Sequence, residues 1–144
     1  MLFIDASVIV AILAEEEDAG ELMDRLDQHE GAFYVSAVVR MEAAMALTRR
    51  MAEAIGRDKP ATPEMLAKAR QMVDQFTSDL EAKEAMITGD VGSKALDAAQ
   101  QFGKIVNHPA KLNLGDCFTY ACARAYRLKI AYKGNDFVET DLGW

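Results

Sequence analysis

Four short runs rich in β-forming residues, at 2–5, 32–35, 85–88 and 129–132, are separated by long stretches with helical spacing of apolar positions. Few arrangements satisfy that alternation. Strands that follow one another through helices pair in parallel, and helices cover both faces of the sheet they form. The spacing therefore predicts an α/β chain, a three-layer α/β/α domain with a short, mostly parallel sheet flanked by helices. At 144 residues and 51% hydrophobic composition, the chain is expected to be one domain spanning residues 1–144.

Local signals set the expected boundaries. Ser7 is placed to cap a first helix carrying Val8, Ile9, Ile12 and Leu13, which the acidic segment at 15–18 and Gly20 interrupt. That acidic segment reads as a solvated helix end. A second helix carries Leu22, Met23 and Leu26 inward and ends near Gly31. Ser36 caps a long helix over about 37–54, with Val38, Met41, Met45 and Thr48 at helical spacing. Residues 56–63 form a loop, and Thr62 followed by Pro63 starts a helix over 63–82. Further helices are expected over 90–102 and 115–127, the second followed by a short strand and an irregular tail.

Four acids stand out by position. Asp5 directly follows the apolar run Leu2-Phe3-Ile4, where a carboxylate is costly to desolvate unless paired, hydrogen-bonded or bound to metal. It either caps the next helix or marks the carboxyl edge of a parallel sheet, where ligands bind in open α/β folds. Glu42 lies in the long helix beside the small pair Ala43-Ala44. Asp116 sits in the first turn of the helix opening LNLGDCFTYACA, and Asp136 follows the last strand. A parallel sheet brings Asp5, Asp116 and Asp136 to one edge, and a long Glu42 side chain leans back toward it. Taken singly, each has an ordinary explanation in capping, turns or a solvated face. Together they form a set of like charges that needs a cation, and oxygen ligands suit Mg²⁺ or Mn²⁺. His29 and His108 are far apart, so no zinc-type cluster is present in the pattern.

The segments FIDASVIVAIL, the Glu in VVRMEAAMAL, LNLGDCFTYACARAY and YKGNDFVETDL resemble, in order, the motifs of PIN-domain ribonucleases, and most closely the VapC toxins of bacterial toxin–antitoxin pairs. The resemblance runs from residue 2 to residue 142. It implies that Asp5, Glu42, Asp116 and Asp136 are the catalytic acids, with Asp5 and Asp116 holding the principal Mg²⁺ or Mn²⁺. Asp136 takes the place of an acid that many PIN domains carry slightly earlier, where this chain has Gly134 or Asn135. Ser7 and Thr140 are implied supports of the site. The resemblance further implies endonucleolytic cleavage of RNA, often tRNA or ribosomal RNA, a homodimer, and a VapB-type antitoxin.

Net charge of −7 argues against a broadly basic nucleic-acid coat protein but not against a nuclease whose bound cations go uncounted. Arg49, Arg50, Arg57 and Lys59, and on another side Arg124, Arg127, Lys129 and Lys133, are available to an RNA backbone or form solvated faces. Tyr34, Tyr120 and Tyr126 read as core residues. Cys117 and Cys122 read as small buried residues of a reducing cytoplasm, and the first apolar run is too short to span a membrane. Three other readings stand beside the ribonuclease. One is a structure-specific DNA nuclease of the flap type, and another is a non-enzymatic interaction domain. The third is a receiver-like signalling domain, which would need paired acids after the first strand.

Overall fold

A computed structural model describes all 144 residues. Strands β1 (Leu2–Ile4), β2 (Phe33–Val35), β3 (Lys83–Glu84) and β4 (Lys129–Ala131) form one sheet in the order β3-β2-β1-β4. Every pairing is parallel. Helices α1 (Ala6–Leu13) and α2 (Ala19–Asp27) connect β1 to β2. Helices α3 (Ala37–Ile55) and α4 (Pro63–Asp79) lead to β3, and α5 (Gly89–Phe102) and α6 (Leu114–Tyr126) lead to β4. The three-layer α/β expectation holds.

The strand order has a functional consequence. The chain first builds outward from β1 through β2 to β3, then returns to place β4 on the other side of β1. The direction of winding thus reverses between β1 and β4. In open α/β sheets such a switch point opens a crevice at the carboxyl ends of the two strands. Phe3 pairs with Ile130 and Ile4 with Ala131, so both strands end level at that crevice, and the Asp5 N–H still donates to the Ala131 carbonyl (2.9 Å).

The core is centred on β1, where Phe3 and Ile4 are wholly buried, as are Val8 and Ile9 of α1. Helix α1 buries Ala6, Val8, Ile9, Val10 and Ala11, so it is a nearly enclosed helix rather than one with a single apolar stripe. Helix α3 departs from expectation. It buries Val39, Ala43, Ala44, Leu47 and Thr48, while Met41 and Met45 are 62% and 42% exposed. Small residues on the inner face let α3 approach its neighbours closely, and the long methionines turn outward.

Three further boundaries differ from the sequence reading. The cap of α1 is Asp5, not Ser7; the Asp5 carboxylate accepts from the Ser7 N–H (3.1 Å). Strand β3 lies at 83–84 rather than 85–88, because Tyr34 and Val35 pair with Lys83 and Glu84, and Thr88 is used to cap α5. A charged pair suits this edge strand. Helix α4 stops at Asp79, and Glu81 closes the turn in a left-handed conformation. The caps Ser36 and Thr62 and the opening Pro63 are as expected.

Candidate active site

Asp5, 6% exposed, stands at the carboxyl end of β1 and caps α1 at the same time, so the two roles weighed for it are one arrangement. One carboxylate oxygen accepts from the Ser7 N–H and hydroxyl (3.1 and 2.6 Å); the other accepts from the Thr119 hydroxyl (3.0 Å). The Ser7 hydroxyl accepts in turn from the Lys133 N–H (3.0 Å). A chain of hydrogen bonds therefore runs from the segment after β4 through Ser7 to Asp5, and fixes the two sides of the crevice to each other.

Asp116 is 7% exposed in the first turn of α6. Its carboxylate accepts from the Asn113 N–H (3.0 Å), and the Asn113 side chain accepts from the Asp116 N–H (2.9 Å). This reciprocal capping box fixes the carboxylate at the helix start. Burial drives its pKa up to about 7 against the pull of the Asn113 hydrogen bond, with Asp136, Asp5 and Glu42 adding repulsion. Glu42 of α3 also titrates at about 7, first because it is desolvated and second because of Asp5. Asp136 is exposed at the rim, and its carboxyl is raised by partial desolvation and by Asp5.

Gly115 explains how Glu42 comes so near. A Cβ at Gly115 would overlap all three atoms of the Glu42 carboxyl group. The glycine gives α6 a bare patch onto which the α3 side chain folds, a close approach no other residue permits. The structure thus brings Asp5, Glu42, Asp116 and Asp136 into one electrostatic neighbourhood. They share a field rather than a finished cage: no three acidic, histidine or cysteine side chains stand in a metal-holding group. Thr140 lies farther along the tail, donating to the Phe137 carbonyl (2.8 Å) and tightening the turn after Asp136.

Three site residues escaped the sequence reading. Thr119, fully buried, lies three residues after Asp116 and so on the same face of α6; that spacing was the available signal. Asn113 could have been found as an Asn placed three residues before an acid at a helix start. Gly115 carried a weaker signal, a glycine in a helical turn where it is otherwise unfavourable.

The acidic segment at 15–18 is solvated only in part: Glu15 and Glu17 are exposed, while Glu16 and Asp18 are paired. Glu16, whose side chain is 18% exposed, pairs with Arg50 and Lys133, and Lys133 also reaches Asp18 (2.9 Å). These partners hold the Glu16 carboxyl below its ordinary range, the Lys133 hydrogen bond most of all. Behind the site the tail is pinned to the domain. Asp141 accepts from the Tyr120 hydroxyl (2.7 Å) and pairs with Arg124, and Gly143 bridges to Ile130 beside β4. Both cysteines are free and buried, and no helix is long and apolar enough to cross a membrane.

A family model described as the PIN domain matches residues 2–142. The chain is 48% identical over 143 residues to a VapC ribonuclease of Rhizobium meliloti (strain 1021), covering 99% of this chain and 100% of that one. It is 32% identical over 139 residues to Ribonuclease VapC28 of Mycobacterium tuberculosis, covering 96% and 93%. Among solved structures, VapC20 of M. tuberculosis, described as a sarcin-ricin loop cleaving toxin, superposes with a TM-score of 0.70 at 17% identity, covering 99% and 96% of the two chains. A chain of a toxin–antitoxin complex from Klebsiella pneumoniae gives 0.65 at 14%, covering 100% and 96%.

Proposed function

Because this chain belongs to the PIN-domain family, we propose that it acts as a VapC-type ribonuclease, the toxin of a toxin–antitoxin pair, which hydrolyses phosphodiester bonds within RNA. The observation that carries the reading is a set of four carboxyls at the switch point between β1 and β4, two of them pushed to about 7. No basic side chain bonds to Asp5, Glu42, Asp116 or Asp136, so their charge is left for a ligand to balance.

That donor set fits a hard divalent cation such as Mg²⁺ or Mn²⁺, which takes oxygen ligands. Asp5 and Asp116 would hold it, with Glu42 and Asp136 completing the site. Such an ion supplies Lewis acidity toward water and toward the scissile phosphate. The chain's own residues do the rest. Ser7 and Thr119 orient the Asp5 carboxylate, and the Asn113 cap orients Asp116. Glu42, on the cleft wall beside the start of α6, is placed to position the attacking water. Neither cysteine lies beside a histidine, so a water nucleophile fits better than a side-chain one.

The remaining parts of the proposal rest on the resemblance of the motifs to the VapC toxins. The substrate is a cellular RNA, with tRNA or ribosomal RNA the leading classes. A VapB-type antitoxin restrains the enzyme, the active unit is a homodimer, and residues 1–144 act as one PIN unit in the cytoplasm. The direct test incubates the purified protein with total RNA and, in parallel, with branched DNA, in Mn²⁺ and in EDTA. Cleavage of RNA that needs Mn²⁺ and is abolished in Asp5→Asn supports the reading. Cleavage of DNA alone would favour the flap-type nuclease, and cleavage undiminished in Asp5→Asn would remove the site assignment.

A further inference from the structure

A cleft of about 640 Å³ opens beside the acids, lined by Ser7, Glu16, Glu42, Arg49, Arg50 and Lys133 among others. Three cations therefore face the same space, and sequence alone ranks them equally. The structure separates them. Arg50 and Lys133 are both committed to Glu16, and Lys133 to Asp18 as well. Releasing either cation to a ligand would strip a partner from Glu16, whose side chain is only 18% exposed, and a poorly solvated carboxylate left unpaired is costly. These two are a clasp that ties the end of α1, helix α3 and the segment after β4 together.

Arg49 is different. It is exposed, lines the cleft, and forms no salt bridge or side-chain hydrogen bond. Glu42, Ala46 and Arg49 follow the i, i+4, i+7 spacing of one helical face. Arg49 thus stands about 10 Å along α3 from Glu42. Both line one cleft, so a strand whose scissile phosphate sits at the acids would carry a neighbouring phosphate past Arg49. On a chain carrying −7 net charge, a polyanion needs such an uncommitted cation at the cleft. A guanidinium also presents paired donors that match two phosphate oxygens.

We infer that Arg49 binds a backbone phosphate of the RNA flanking the scissile bond, while Arg50 and Lys133 hold the walls of the cleft through Glu16. The inference deepens the ribonuclease reading and rests on it. As a phosphate contact it carries no sequence preference and sets the position of the strand on the enzyme.

The test compares the wild type with Arg49→Ala, Arg49→Lys and Lys68→Ala, the last removing an equal charge from the exposed face of α4. Binding of a mixed-sequence single-stranded RNA to the intact protein is followed by fluorescence anisotropy across a salt series, with Ca²⁺ in place of Mg²⁺. Steady-state cleavage is measured alongside. Arg49→Ala should weaken binding about tenfold, as expected for one charge-assisted contact. It should also flatten the plot of log affinity against log salt by about 0.7. KM should rise by a similar factor while kcat holds. Arg49→Lys should keep the salt slope and lose part of the affinity, and Lys68→Ala should match the wild type. Wild-type affinity and slope in Arg49→Ala would overturn the inference, and so would an equal loss in Lys68→Ala. A wild type that neither binds nor cuts RNA would overturn the ribonuclease reading with it, an outcome distinct from failure of the Arg49 arm alone.

Discussion

Asp116→Asn should abolish cleavage and, without divalent metal, make the protein more stable. The Asp116 carboxyl is 7% exposed, and its pKa rises from 3.8 to about 7 on folding. At about pH 8 the folded protein holds this group ionised against its surroundings, at a cost of up to about 4 kcal/mol. The asparagine amide needs a partner, worth about 1 kcal/mol. Its carbonyl oxygen can keep the bond from the Asn113 N–H, so the capping box survives. The net gain is about 2–3 kcal/mol, a rise of roughly 5–10 °C in melting temperature for a chain of this size. The gain should shrink as pH falls. Below about pH 7 the folded wild type binds a proton that the unfolded chain still lacks, which relieves the cost, and near pH 4 both states are protonated and the cost is gone. Thermal melts of both proteins in EDTA across this range, repeated with Mn²⁺, provide the assay. Mn²⁺ should stabilise the wild type and do little for the variant. A variant less stable than the wild type at about pH 8 in EDTA, or a difference that grows toward acid pH, would refute the reasoning.

Two other perturbations read different parts of the site. Gly115→Ala should push the Glu42 carboxyl off the start of α6 and reduce kcat by about a hundredfold, with a folded far-ultraviolet circular dichroism spectrum; near wild-type turnover would show that Glu42 need not lie there. Glu16→Gln should cost about 1 kcal/mol in urea unfolding at neutral pH by releasing Arg50 and Lys133. Because the Glu16 carboxyl titrates below its ordinary value, its stabilisation is present above about pH 4.5 and lost as pH falls through the lowered value, so the two proteins should converge in acid.

The sequence by itself determined the class of fold and the place of its chemistry. Short β-rich runs between helical stretches leave a parallel sheet as the solution, and Ser36, Thr62 and Pro63 mark helix starts through atoms only a few residues apart. The acids Asp5 and Asp116 were visible because each follows or opens an element whose type is locally encoded. Periodicity misled where two faces of one helix both carry apolar residues: α3 turns Met41 and Met45 outward because closeness to α4 and α6 selects Ala43, Ala44 and Leu47 instead.

Only the tertiary structure decided what the acids share. Strand order is set by the packing of crossovers over the whole chain, and it alone makes β1 and β4 neighbours with a crevice at their ends. The Thr119 hydroxyl meets Asp5 across 114 residues, and Lys133 meets Glu16 across 117. No local spacing encodes such contacts, and they distinguish the cations held by carboxylates from Arg49, which is free. The same holds for Gly115, whose missing side chain has meaning only once α3 lies against it.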